Sequence, residues 1–243
     1  MDENLDFEFL QHGEIEIKGE FLWGSNYTFL VNLCYGGINR AAVYKPSKGQ
    51  QPLWDFPAES LAHREAAAFL VSQALKWDFV PLTAYRENGP LGPGSLQFFI
   101  EHNPEYHYFN FTRKDRQRLR PVVVFDILIN NADRKGSHLL IDAEKRLWLI
   151  DHGLCFHRDD KLRTVLWDFV GEPVPASILE SVSQFYKNLV EQKEESGGLY
   201  NELNAHLDRV EIEALLLRAE LLIKTDEFPQ PDPARRPFPW PQI

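Results

Sequence analysis

Between Gly13 and Pro46 apolar and polar side chains alternate, first in GEIEIKGEF, then after a WGSN turn in YTFLVNL, then after YGGINR in AAVYKP. A period of two means a strand with one buried face, so residues 13–47 are predicted to form three antiparallel strands, the last ending at Pro46, which has no N–H for a ladder. From Ser60 the period lengthens. In SLAHREAAAFLVSQAL, Leu61, Ala66, Phe69, Leu70 and Leu75 recur at helical spacing, predicting a helix over 60–75 behind a Ser60 cap. Two further strand-like runs, Phe79–Arg86 and Ser95–Glu101, flank the turn-rich NGPLGPG. Residues 13–101 therefore read as a small α+β lobe.

The second half is mainly helical. RKDRQRLRPVVVFDILINNAD reads as helix with Pro121 as a kink or a new start, LLIDAEKRLWLID as a short hairpin, and Pro175–Glu194 and Leu207–Lys224 as amphipathic helices. Residues 228–243 carry six prolines in sixteen positions, predicting an extended segment that either packs on the surface through Phe238 and Trp240 or serves a partner as a ligand. The expected organisation is a first lobe over 1–102, a helical second lobe over 103–227 and the Pro-rich segment 228–243.

Composition narrows the function classes. The chain has 243 residues with 44% hydrophobic and 26% charged positions, a globular balance, and a net charge of −10, which argues against a general nucleic-acid binder. Seven acids and one lysine in the first twenty residues do not make a secretion signal, and the apolar run Pro121–Ile129 is interrupted by Asp126 and too short to span a bilayer. Cys34 and Cys155 form no metal or disulfide pattern, so a reduced cytoplasmic setting is expected.

The chemistry concentrates in NNADRKGSHLLIDAEKRLWLIDHG. An Asp-Arg pair ends a helix, His138 follows Asp133 by five positions, and a hairpin leads to Asp151-His152-Gly153. Phosphoryl transfer on a kinase scaffold needs this arrangement: one Asp to orient or deprotonate the attacking hydroxyl, a ligand five residues on, and an Asp-x-Gly whose carboxylate holds a metal across the phosphates. Upstream, Lys45 closes a strand and Glu65 lies on a helix, the types that grip α/β-phosphates and fix the gripping Lys. Each residue alone also fits a turn, a cap or a solvated surface; their conjunction favours the site.

The combination AVYKP, HREAAAFL, NxDRxxxxH and IDHGLCF, with LWDFP, GPLGPGS and DDKLRTVLWD, resembles the phosphatidylinositol 3-/4-kinase-like superfamily over residues 13–225. The match is best to small bacterial proteins of that type and more distant to type II phosphatidylinositol 4-kinases and HipA-type kinases. The resemblance implies an atypical two-lobed kinase fold with an antiparallel first lobe, and an ATP site between the lobes. It implies Lys45 as the phosphate-binding Lys, Glu65 as its partner, Asp133 as the catalytic Asp within Asn131-Ala132-Asp133-Arg134, and Asp151 as a ligand for Mg²⁺ or Mn²⁺. Ser25 and Asn26 fall where the phosphate-covering loop lies, and Phe99, Ile100, Glu101 and His102 where adenine is contacted. His138 replaces the usual Asn; it either ligates metal, with a preference for softer ions than Mg²⁺, or hydrogen-bonds a phosphate or Asp133.

The expected activity is transfer of the ATP γ-phosphate to an unknown hydroxyl on a protein or small metabolite. A lipid acceptor is disfavoured by the lack of a polybasic insert, a cysteine cluster or a membrane helix. Lys161 and Arg163 are the candidate contacts to an anionic acceptor. A nucleotide-binding scaffold and an adenylyl transferase on the same fold are the competing expectations. A metal-hydrolase cluster of His138, Asp151, His152 and His157 is disfavoured by the order of its ligands, and the basic run 113–120 is expected to be a solvated face.

Overall fold

A computed structural model describes residues 3–21, 27–48, 50–51, 53–57, 59–194 and 197–243. The first part is an antiparallel sheet in the order β1-β2-β3-β5-β4, made of β1 (Glu14–Glu20), β2 (Phe29–Tyr35), β3 (Ile38–Pro46), β4 (Thr83–Arg86) and β5 (Gly94–Phe98). Register explains the placement of Lys45. On β3, Ala42, Tyr44 and Pro46 are buried, and the intervening Val43 and Lys45 face the other side, where Lys45 pairs with Ser95 of β5.

The face bearing Ala42 and Tyr44 is covered by a helix the periodicity did not announce, α1 (Glu3–His12), which inserts Phe9 and Leu10 against Val31, Leu33 and Leu96. Its acid-rich outer face masks that two-residue anchor. The face bearing Lys45 is thereby left for the cleft.

Helix α2 (Leu61–Ala74) fills the predicted span, but Ser60 does not cap it. The Ser60 hydroxyl donates to the Pro57 carbonyl at 2.8 Å and accepts from Arg64 Nε at 3.2 Å. Strands β4 and β5 are shorter than the runs that predicted them, because the chain bends at Val80 and the ladder frays to single bonds at the strand ends, Phe98 N–H to the Leu82 carbonyl and Phe99 N–H to the Ala41 carbonyl, each at 3.1 Å. Alanines on α2 let it approach closely, and Ala67, Phe69 and Val71 join the large core of the second part rather than that of the sheet.

That second part holds α3 (Arg113–Gln117) and α4 (Arg120–Ile129), so Pro121 marks a new start rather than a kink. The hairpin β6 (Leu139–Ile141) and β7 (Leu147–Leu149) follows, then α5 (Ala176–Glu191), α6 (Leu199–Asn204) and α7 (Arg209–Thr225). Helix α6 was missed because six residues hold too few turns for a period to show. The basic run is not merely solvated: Arg116 pairs with Asp168 at 3.4 Å and Arg120 with Glu172 at 2.6 Å, while Arg116 and Arg120 lie over the rings of Tyr108 and Phe169. Residues 228–243 pack on the protein, but through buried Phe228 and Pro239 rather than through the expected Phe238 and Trp240, which are both exposed. Among the described residues no helix is long and apolar enough to cross a membrane.

Candidate active site

A cavity of about 470 Å³ separates the sheet from the helical part. Its apolar walls are Val43, Leu61, Ala62, Phe98, Phe99, Leu140 and Ile150, and its polar end carries Lys45, Glu65, His138 and Asp151. This is the composition of a ligand site: a greasy slot for a flat body and a few convergent charges. Phe99, Ile100 and His102 line it; Glu101, expected beside them, is exposed and does not. The split does not follow strand alternation, since the neighbours Phe99 and Ile100 both line the cavity; the chain leaves the sheet after Phe98 and turns Glu101 to solvent. Ser25 and Asn26 lie outside the described residues.

The polar end is built by three elements. Lys45 arrives from β3, Glu65 from the first two turns of α2, and Asp151 from the residue pair after β7. Lys45 Nζ bonds Glu65 Oε1 directly and reaches Asp151 Oδ1 at 2.9 Å. Burial would discharge the amine, yet the two carboxylates outweigh it and raise the Lys45 pKa, while Lys45 above all holds Asp151 well below the usual carboxylate range. Glu65 Oε2 in turn accepts from the His152 N–H at 3.0 Å, tying the helix to the loop it faces. Asp151 sits at φ 62°, a left-handed conformation that costs a non-glycine residue energy and persists only where its surroundings impose it. Gly153 allows the approach, because a Cβ there would stand 3.3 Å from the Leu61 Cβ.

His138 Nε2 lies 3.3 Å from Asp151 Oδ2, and its Nδ1 accepts from the Lys135 N–H at 3.4 Å. An accepting Nδ1 puts the ring proton on Nε2, toward Asp151. Burial, reinforced by Arg134, Lys135 and Lys45, pushes the imidazole down to about 3, so it is neutral near pH 7.

Asp133 is partly buried and pairs with Lys135 at 3.2 Å. Burial is the main cause that lifts its carboxyl to about 6; Asp151 adds to the rise, and Lys135 and Arg163 oppose it. The backbone at Asp133 is set by Asn131, whose side-chain oxygen accepts the Asp133 N–H at 2.9 Å and whose amide donates to Asp126 at 3.2 Å. Arg134 turns the other way. It is fully buried, its guanidinium bonds both oxygens of Asp126 at 2.9–3.1 Å, the Ile150 carbonyl at 2.9 Å and His152 Nε2 at 3.0 Å. Asn131, Asp133 and Arg134, grouped as catalytic from sequence, all lie outside the cavity lining, and the Asn131 and Arg134 side chains turn back onto Asp126 while Asp133 stays partly exposed on the adjoining loop.

Other expected contacts sort in the same way. Lys161 is held by Asp55 at 3.2 Å and lies over the Trp54 ring at 4.7 Å. Arg163 remains close enough to Asp133 to lower its pKa. His152 is fully buried and His157 packs edge-on against Phe56, so the His-Asp-His-His cluster does not assemble. His63 stacks on Tyr85 and meets His206 at 3.0 Å, away from the cavity.

The residues missed are those behind the site. Asp126 had a signal: a lone carboxylate in PVVVFDILI must be buried with a partner, and its partner is Arg134. Asn130, at φ 53°, donates to the His157 and Asp159 carbonyls and accepts from Lys161 N–H, so it shapes the loop after Asp151. Nothing in its local sequence separates it from an ordinary helix end.

The profile of the phosphatidylinositol 3- and 4-kinase family matches residues 56–203, more than half of the chain. The chain belongs to this family. A relative in Mycobacterium tuberculosis, Protein Rv2133c, is 37% identical over 96% of this chain and 93% of its own. The fold is shared with solved atypical kinases at low identity. The Helicobacter pylori proinflammatory kinase CtkA superposes with a TM-score of 0.54 at 12% identity over 90% of this chain and 94% of its own. The Golgi casein kinase solved with Mn/ADP gives 0.56 at 15% over 91% and 74%. The protein therefore has the two-lobed atypical kinase fold that its sequence resembles.

Proposed function

We propose that this kinase-fold protein transfers the γ-phosphoryl group of ATP to a hydroxyl of a protein or small metabolite. The observation that carries the proposal is the side-chain set at the polar end of the cavity: Lys45 held between Glu65 and Asp151, with Asp133, poised at about 6, on the adjoining loop. Adenine would occupy the apolar slot by Phe99 and Ile100, and Lys45 would take the α/β-phosphates, its direction fixed by Glu65. Asp133 would orient the acceptor hydroxyl and receive its proton as the acceptor oxygen bonds to γ-phosphorus and the bond to the β–γ bridging oxygen breaks.

Asp151 and His138 are the residues that would hold a divalent ion. Among the described residues no three His, Cys, Asp or Glu side chains converge as a metal cage, which suits a Mg²⁺ or Mn²⁺ that takes its remaining ligands from phosphates and water. Such an ion supplies neutralisation of the phosphate charge. His138 must give up its Nε2 proton to ligate, and the two nitrogens can exchange roles because Nδ1 already faces a donor only weakly, at 3.4 Å. The lipid acceptor in the family's name is disfavoured, since three arginines of the basic run 113–120 are engaged in ion pairs, Arg116 with Asp168, Arg118 with Asp115 and Arg120 with Glu172, rather than free to meet an anionic surface.

As a second reading, the engagement of both Asp151 oxygens by protein groups, Oδ1 by Lys45 at 2.9 Å and Oδ2 by His138 at 3.3 Å, favours a scaffold that binds nucleotide without transfer. Parallel incubations with γ- and α-labelled ATP, Mg²⁺ or Mn²⁺, and protein, metabolite or phosphatidylinositol-vesicle acceptors separate these. Movement of the γ label to protein or metabolite is expected. Label from the α position alone means adenylyl transfer, transfer to the vesicles alone means a lipid kinase, and nucleotide binding with no label moved means the scaffold.

A further inference from the structure

We propose that residues 235–242 are a strap that holds the catalytic loop and the loop after Asp151 in working register, and so complete the phosphotransfer site; the proposal rests on the kinase reading above. The Gln242 carbonyl accepts the Gly136 N–H at 2.7 Å, and Gly136 lies buried between Asp133 and His138. The Pro237 carbonyl accepts the Thr164 N–H at 3.0 Å and Trp167 Nε1 at 3.4 Å. Thr164 is 1% exposed and forms a parallel bridge with Arg134, so the strap lies across two loops that are already neighbours. Its near end is anchored where Arg235 donates to the Asp160 carbonyl at 2.6 Å and pairs with the Asp160 carboxylate at 2.9 Å, one residue before Lys161.

The chemistry of the strap fits what the loops lack. A proline-rich segment is stiff and extended, and it offers carbonyl acceptors with few N–H donors. The loops present the reverse, two buried N–H groups that find their acceptors in the strap. Gly136 is fixed from its other side as well: a Cβ there would stand 2.7 Å from the Phe109 ring, so the peptide is pinned between Phe109 and Gln242. Freed from Gln242, that peptide would turn toward water and carry the Asp133–His138 spacing with it. None of residues 235–242 lines the nucleotide cavity, and Lys45 and Asp151 are fixed by Glu65 and by each other without the strap, so in the absence of metal the strap bears on the transfer step far more than on nucleotide affinity.

The test compares the full chain with two variants, full-length Arg235→Gln and a chain ending at Ala234. Hydrogen exchange at residues 134–138 and 162–167 is expected to accelerate about tenfold or more in the shortened chain and less in Arg235→Gln, because exchange tracks local opening. The Kd for a fluorescent ATP analogue in the absence of metal is expected to stay within about threefold, while kcat for transfer falls about 30-fold or more, as displaced catalytic groups do. A synthetic peptide of residues 235–243 added to the shortened chain is expected to slow exchange and restore turnover saturably. Unchanged exchange in both loops overturns the strap, as does a kcat that is unaltered, or a nucleotide affinity that is lost together with turnover. A full chain that transfers no phosphate defeats the kinase reading instead, and the exchange measurements on both variants still decide the strap.

Discussion

At the scale of single residues, Asp133 and Asp151 are two carboxylates driven apart by their surroundings, the pattern by which one site obtains a proton acceptor and a permanent anion. Asp133, lifted to about 6 by burial, is ionised above that pH and protonated below it. Its acceptor role should therefore fade as pH falls through 6, and kcat/KM should drop about tenfold per unit below that point, read from a pH profile at saturating metal. The linkage has the opposite sign to that of a salt-bridged carboxylate. A group whose folded pKa lies above its unfolded value of about 4 stabilises the fold when protonated, and that contribution is lost as pH rises through 6. Asp133→Asn should therefore lower kcat by a factor of about 10² to 10⁴ while leaving Tm at pH 8 unchanged or higher, checked by turnover and thermal melting of the same preparation. A lower Tm would mean that Asp133 is structural. Asp151, held ionised chiefly by Lys45, should behave differently: Asp151→Ala should abolish the metal-dependent part of nucleotide binding, and Asp133→Asn should spare it, measured by titration with and without Mn²⁺.

At the scale of elements, the loop that carries Asp133 is held from behind by a buried ion pair, Arg134 on Asp126, with 0% and 1% side-chain exposure. Removing one partner of such a pair leaves an uncompensated buried charge, so Arg134→Leu and Asp126→Asn should each cost about 3–5 kcal/mol in denaturant unfolding, Asp126→Asn no less than Arg134→Leu because a guanidinium cannot shed its proton. Helix α1 offers a second test. Phe9 is 1% exposed against the sheet face opposite Lys45, and Phe9→Ala should cost about 3–5 kcal/mol by opening a cavity. Because the alternation along β3 couples that face to the cleft, the same change should weaken nucleotide affinity without touching the site.

At the scale of the whole molecule, the net charge of −10 opposes a nucleotide polyanion. Lys45 and Lys135 beside the carboxylates offset this locally, and on the proposed reading a divalent ion at Asp151 and His138 would add to it. Thermal stabilisation by ATP should therefore need a divalent ion: nucleotide with Mn²⁺ at about 100 times Kd should add about 2.7 kcal/mol, and nucleotide with a chelator much less, followed as a melting shift. The lobes meet through α2, whose Ala67, Phe69 and Val71 pack into the helical core while Glu65 faces the cleft, so displacement of that helix would move the Lys45 partner with it.

Much of this was legible in the chain itself. Period-two alternation placed three strands and Lys45 at the end of the third, period 3.6 placed Glu65 on α2, and the NxDR, His138 and DHG spacing located the loops that carry Asp133 and Asp151, because those signals are local and repeat within a few residues. Tertiary structure alone decided the rest. Asp126 and Arg134 are eight positions apart and meet only once the chain turns back at Asn130, so a residue grouped with catalysis became its support. Glu101 left the cavity while its neighbours stayed, because the segment after Phe98 is outside the sheet and no period tells which of its side chains face inward. Residues 235–242 stand about a hundred positions from the Asp133 loop and bond it through main-chain carbonyls, groups that every residue carries and no side-chain pattern reveals.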